Sequence, residues 1–199
     1  MLTFLFAPGA GAGSDHPWMR NWAQRLRQLG EVTTLDYPYR LAGRKRPDPL
    51  PQLIAAHRQA IEQIRPNLSG PLVLIGKSMG GRIGCYASDQ PDVAAVVCLG
   101  YPLCANGDPT KMRNKVLLEL TKPVLFVQGT RDRLCPLDLL ALVQSQMRVP
   151  NHLHIVEDGD HSLLLSKTAL KQMGKTQAQI DNEILRSIGE FLEAEVGRR

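Results

Sequence analysis

Six short apolar runs divide the chain: Leu2–Ala7, Val32–Tyr37, Val73–Ile75, Val93–Leu99, Val124–Gln128 and His152–Val156. Each has the length of a strand, and each reads as a continuous apolar stretch rather than an in/out alternation, the pattern of a parallel sheet covered on both faces. Between the runs, hydrophobic residues recur at helical spacing. Trp18, Met19, Trp22, Leu26 and Leu29 predict a helix closed by Gly30 as its C-terminal cap. Leu53, Ile54, Ala60, Ile61 and Ile64 predict another, ended by Pro66 and Gly70. A third follows Ser78 and carries Ile83, Cys85 and Tyr86; a fourth spans Leu137–Met147 with Pro136 in its first turn. Thr176 and Gln179 form the signature of a capping box before Ile180, Ile184, Ile188, Phe191 and Leu192. The stretch from Gly100 to Lys122 is irregular, with one short helix around Val116–Leu120. Alternating strands and helices predict an α/β fold, a three-layer α/β/α sandwich around a mainly parallel six-stranded sheet. With no repeat or linker, residues 1–199 are expected to form a single domain.

Composition adds constraints. The chain of 199 residues is long enough to bury a core without disulfides or metals. Its apolar start has no basic leader and breaks at Pro8, so no signal peptide is expected, and no apolar run approaches a membrane span. Cys85, Cys98, Cys104 and Cys135 lack zinc-site spacing and are expected to be free thiols in a reducing cytoplasm. The net charge of +5 is modest; its densest cluster, Arg40, Arg44, Lys45 and Arg46, has few aromatic neighbours and reads as a solvated loop rather than a nucleic-acid surface.

In a parallel α/β sheet, functional groups collect past the carboxyl ends of strands. Three stand there: Ser78 within Gly76-Lys77-Ser78-Met79-Gly80, Asp132 after the fifth run and His161 after the sixth. Gly-x-Ser-x-Gly between a strand and a helix presents a serine hydroxyl on a tight turn. That hydroxyl is a poor nucleophile unless a base takes its proton, the role for His161, and Asp132 would orient and stabilise the imidazole. Asp138 is a rival acid, already inside a helix, while His152 and His154 lie along a strand and His57 falls on an apolar helix face. The small-residue turn from Gly9 to Gly13 lets backbone approach a substrate carbonyl, so the oxyanion donors are assigned to the N–H groups of Ala10 and Met79, with Gly11 as rival for the first.

Two other motifs compete. Gly76-Lys77-Ser78 ends like a phosphate-binding loop, but Pro71 occupies the position of that loop's first glycine, and Leu72–Ile75 is apolar strand. Gly9-Ala10-Gly11-Ala12-Gly13-Ser14, followed by Asp36, approximates a dinucleotide fingerprint, with Ser14 where glycine or alanine is required.

The chain resembles the α/β-hydrolase superfamily over nearly its whole length, nearest to a small lidless branch around the dienelactone hydrolases. The carrying segments are Ala7–Gly13, Gly76–Gly81, Val127–Asp132 and Gly159–Ser162. The resemblance implies a Ser78–His161–Asp132 triad, no cofactor or metal, and hydrolysis of a small acyl ester, thioester or amide through an acyl-enzyme. Pro8 stands where many relatives carry histidine, and the chain starts directly at the oxyanion strand, so a minimal sheet is expected. The short Gly100–Lys122 connection implies an open site for small soluble acyl substrates. The competing classes are a non-catalytic binding module of the same fold and a dinucleotide-binding protein using the Gly9–Gly13 turn.

Overall fold

The computed structural model describes residues 1–197; the last two positions of the expected domain lie outside the described residues. Six strands form one sheet in the order β2-β1-β3-β4-β5-β6, with every neighbouring pair parallel. They are β1 (Leu2–Ala7), β2 (Gly30–Thr34), β3 (Leu72–Lys77), β4 (Val93–Leu99), β5 (Val124–Gly129) and β6 (Asn151–Val156). The eight α-helices among the described residues are α1 (Pro17–Leu26), α2 (Pro38–Leu41), α3 (Leu50–Ile64), α4 (Met79–Ala87), α5 (Lys115–Leu118), α6 (Leu137–Gln144), α7 (Lys167–Met173) and α8 (Gln177–Glu195).

Because successive strand residues face opposite sides, the central strands feed two cores at once. Phe4, Phe6, Val73, Ile75, Val97 and Val127 pack against α1 and α8, burying Trp22, Leu26, Ile184 and Ile188. On the other side Leu5, Leu72 and Leu74 meet α3 and α4, and Val96 and Phe126 meet α5 and α6. The capping box is formed: Gln179 N–H donates to the Thr176 hydroxyl while the Gln179 side chain accepts from Thr176 N–H. Among the described residues no helix is long and apolar enough to cross a membrane.

Three details differ from the sequence expectation. Gly30 opens β2 instead of capping α1; it pairs with Leu2, and a Cβ there would lie 2.3 Å from the Leu2 carbonyl oxygen. β2 stops at Thr34 because Tyr37 becomes the N-cap of α2. The edge strands β2 and β6 are only partly buried, so the continuous burial expected of all six holds for the central four. The irregular Gly100–Lys122 connection carries one short helix, α5, near its expected place, and buries Tyr101, Leu103, Val116 and Leu117.

Strand order reverses direction between β1 and β3, and at such a switch point the loops diverge and leave a crevice at the carboxyl ends.

Candidate active site

β3 runs straight into α4 through Ser78, whose φ of 49° and ψ of −114° lie outside the ordinary wells for a side-chain-bearing residue. Such strain costs roughly 1–3 kcal/mol and persists only where the surroundings enforce it. Here Ser78 N–H donates to the Leu99 carbonyl at 3.0 Å, and the Ser78 carbonyl accepts from Arg82 N–H at 3.1 Å. The turn is too tight for side chains on its flanks: a Cβ on Gly76 would come within 2.2 Å of Gly81 N, and one on Gly80 within 2.4 Å of the Ala7 carbonyl oxygen.

Asp132 and His161 come from the loops after β5 and β6; His161 meets Ser78, and Asp132 meets His161. His161 Nε2 is 2.8 Å from Ser78 Oγ, and His161 Nδ1 is 2.7 Å from Asp132 Oδ2. The carboxylate also accepts from Leu134 N–H at 2.9 Å and from the Gln128 side-chain amide at 2.5 Å. Burial pushes the Asp132 carboxyl up, but His161 and these donors outweigh it and hold the group below its ordinary value. An ionised carboxylate only accepts, so His161 Nδ1 carries the proton, Nε2 is the acceptor in the neutral ring, and the Ser78 hydroxyl donates to it. Asp138 sits in the first turn of α6, and the aspartate bonded to the imidazole is Asp132.

A cleft of about 460 Å³ opens beside Ser78, lined by the Gly9–Ala12 turn, Trp18, Met19, Lys77, His161 and Leu164 among others. None of its lining comes from the Gly100–Lys122 connection. Among the described residues, the N–H groups of Ala10 and Met79 donate to no backbone carbonyl outside regular helix and strand ladders. The Ala10 carbonyl is held by the Tyr39 hydroxyl, which donates at 2.9 Å. Asp36, the acid of the dinucleotide pattern, is turned inward: it accepts from Ser14 N–H at 2.7 Å and from the Ser14 hydroxyl, closing the glycine turn. Among the described residues no group of three or more His, Cys, Asp or Glu is placed to hold a metal ion.

Sequence reasoning missed three participants. Gln128 is fully buried and bridges Tyr101 N–H, which donates to its Oε1 at 2.9 Å, to the Asp132 carboxylate; a polar residue ending an apolar strand was its only signal. The Asp160 carboxylate accepts from Ser162 and Leu164 N–H groups and shapes the turn carrying His161. Lys77 reaches the same turn from β3.

An open parallel sheet with serine, histidine and aspartate linked at its carboxyl edge defines an α/β protein of hydrolase type. The chain belongs to the alpha/beta hydrolase domain family, whose model matches residues 1–193. Its fold is similar to that of an alpha-beta serine hydrolase homologue from Coxiella burnetii, with a TM-score of 0.72 and 17% identity over 94% of this chain and 84% of that one. Dienelactone hydrolase from Anabaena variabilis gives 0.68 and 21% over 97% and 86%. The esterase domain of a Rhodothermus marinus protein gives 0.68 and 16% over 96% and 86%.

Proposed function

We propose that the protein is a serine hydrolase cleaving small acyl esters or thioesters, with small amides as a further class, through an acyl-enzyme on Ser78. The observation that carries this reading is the continuous hydrogen-bond chain from Ser78 through His161 to Asp132, with the serine on a strained elbow beside an open cleft. Ser78 Oγ attacks the substrate carbonyl carbon while its proton passes to His161 Nε2. The tetrahedral oxyanion accepts from Ala10 and Met79 N–H. When the carbon–oxygen or carbon–sulfur bond breaks, His161 returns the proton to the leaving alcohol or thiol. Water repeats the sequence in deacylation: His161 takes its proton, hydroxide adds to the acyl carbon, and Ser78 leaves reprotonated. Asp132 stays ionised throughout and stabilises the imidazolium.

The small cleft and the absence of any lining from the Gly100–Lys122 connection support short, soluble acyl groups. Four buried free thiols support a reducing compartment, the cytoplasm. The test is hydrolysis of a nitrophenyl ester series alongside matched thioesters and amides, with Ser78→Ala as control. Turnover of short-chain substrates by wild type and its loss in the variant are expected. Binding without turnover by wild type would assign the chain to the non-catalytic class.

A further inference from the structure

Lys77 is the last residue of β3 and only 9% exposed, on the side of the sheet where Ile75 and Trp18 pack. An apolar side chain would line this wall without the cost of burying an ammonium. The lysine instead spans the cleft wall: its Nζ donates to the main-chain carbonyl of His161 and stands 5.6 Å from the centroid of the Trp18 ring. Trp18 Nε1–H donates in turn to the carbonyl of Ser162 at 2.9 Å. Two adjacent side chains therefore hold the carbonyls of consecutive residues, while Asp160 holds N–H groups of the same turn from the other side. The turn needs such restraint, because Leu163 sits at a φ of 62°, unusual for a residue with a side chain.

We propose that Lys77 is a positioning residue for His161, its ammonium fixing the histidine turn through the histidine's own carbonyl so that the imidazole stays aligned on Ser78. The inference rests on the serine-hydrolase reading for its effect on turnover. Charge matters to the role, because a hydrogen bond from an ammonium is stronger than one from a neutral amine. Burial pushes the Lys77 amine down to about 8, against the pull of Asp132 and Asp160. The groups facing it are Trp18 of α1, with His16 on the cleft wall, Asp132 after β5, and Asp160 and His161 after β6. Lys77 is charged below about pH 8 and loses its proton above it. Turnover therefore falls as pH rises through that value. The same deprotonation relieves a buried charge: the unfolded chain keeps its proton up to the ordinary 10.5, so folding stability rises between about 8 and 10.5. A lysine that merely supported the fold would not lower turnover while stability climbs.

The experiment uses Lys77→Met, and Lys77→Cys before and after aminoethylation with bromoethylamine, which restores an ammonium at similar reach. Readouts are kcat and KM on a short nitrophenyl ester from pH 6 to 10 (about that range, set by the serine-base pair and the lysine) and the downfield proton resonance of His161 Nδ1–H. Lys77→Met is expected to lower kcat by about 10–100-fold with KM changed by less than about twofold, as for a displaced base. It should also lose the alkaline decline near pH 8 and broaden the resonance. Aminoethylated Lys77→Cys should recover kcat and the sharp resonance. Wild-type kcat and a sharp resonance in Lys77→Met, or no recovery on aminoethylation, would overturn the proposal. If wild type turns over no ester, thioester or amide, the hydrolase reading fails, and the resonance alone decides whether Lys77 holds His161.

Discussion

Two histidines, His161 and His57, each hydrogen-bond a polar side chain, and their surroundings give them opposite chemistry. His161 stands between an ionised carboxylate and a serine hydroxyl, with its side chain 29% exposed on the cleft. His57, on α3, is fully buried, 3.2 Å from the Tyr37 hydroxyl, and its Nε2 has no hydrogen-bond partner among the described residues. Burial pushes His57 down to about 4 and raises the Tyr37 phenol well above its ordinary value, so both stay neutral. A hydrogen bond alone does not make a histidine a base. The difference lies in a counter-charge that stabilises the imidazolium and in an open face toward a donor.

That contrast is broken most strongly by removing the base. His161→Ala should lower ester turnover by about 10⁴-fold or more, measured as kcat/KM, whereas His57→Phe should leave it within about threefold, since no reacting atom touches His57. Next comes the counter-charge. Asp132→Asn should fold normally, as read by circular dichroism, and lose about 10²–10⁴ in kcat because the amide no longer selects the Nδ1–H tautomer. Asp138→Asn should behave as wild type; the reverse pair of results would move the acid assignment. Gln128→Leu, which strips one donor from Asp132 and leaves Tyr101 N–H unpaired, should lower kcat about tenfold and stability by about 1–3 kcal/mol. The smallest effect on turnover belongs to His57 and appears instead as pH-dependent stability. Its folded value lies below the unfolded one, so its contribution is complete above about 6.5 and is lost as pH falls toward about 4. Denaturant titrations over that window should show a shallower acid decline in His57→Phe than in wild type.

The residues at strand ends were readable from the sequence because each marks an abrupt change in the pattern. Ser78, Asp132 and His161 all follow an apolar run within a few residues, and parallel strands bring such ends to one edge. His57 was readable for the opposite reason, lying among apolar positions at helical spacing. Long-range contacts that no strand-end motif announces were not readable. Lys77 drew notice only through a phosphate-loop pattern that Pro71 already ruled out, and its partner is a carbonyl 84 positions away. The bond from Tyr39 to the Ala10 carbonyl depends on α2, whose four residues offer no helical period. Helix α7 was missed similarly: seven residues with Ala169 as the buried member carry too little amphipathic signal. Gly30 misled because a glycine after a helical pattern normally caps it, and the pairing with Leu2 that claims it for β2 is invisible along the chain.

Activation of Ser78 as a nucleophile by His161 can be read out by covalent labelling with a fluorophosphonate probe. Wild type should gain the phosphonyl mass on the peptide containing Ser78, His161→Ala should gain it far more slowly, and Ser78→Ala should not gain it. Wild type that stays unlabelled, or Ser78→Ala labelled as fast as wild type, would contradict it.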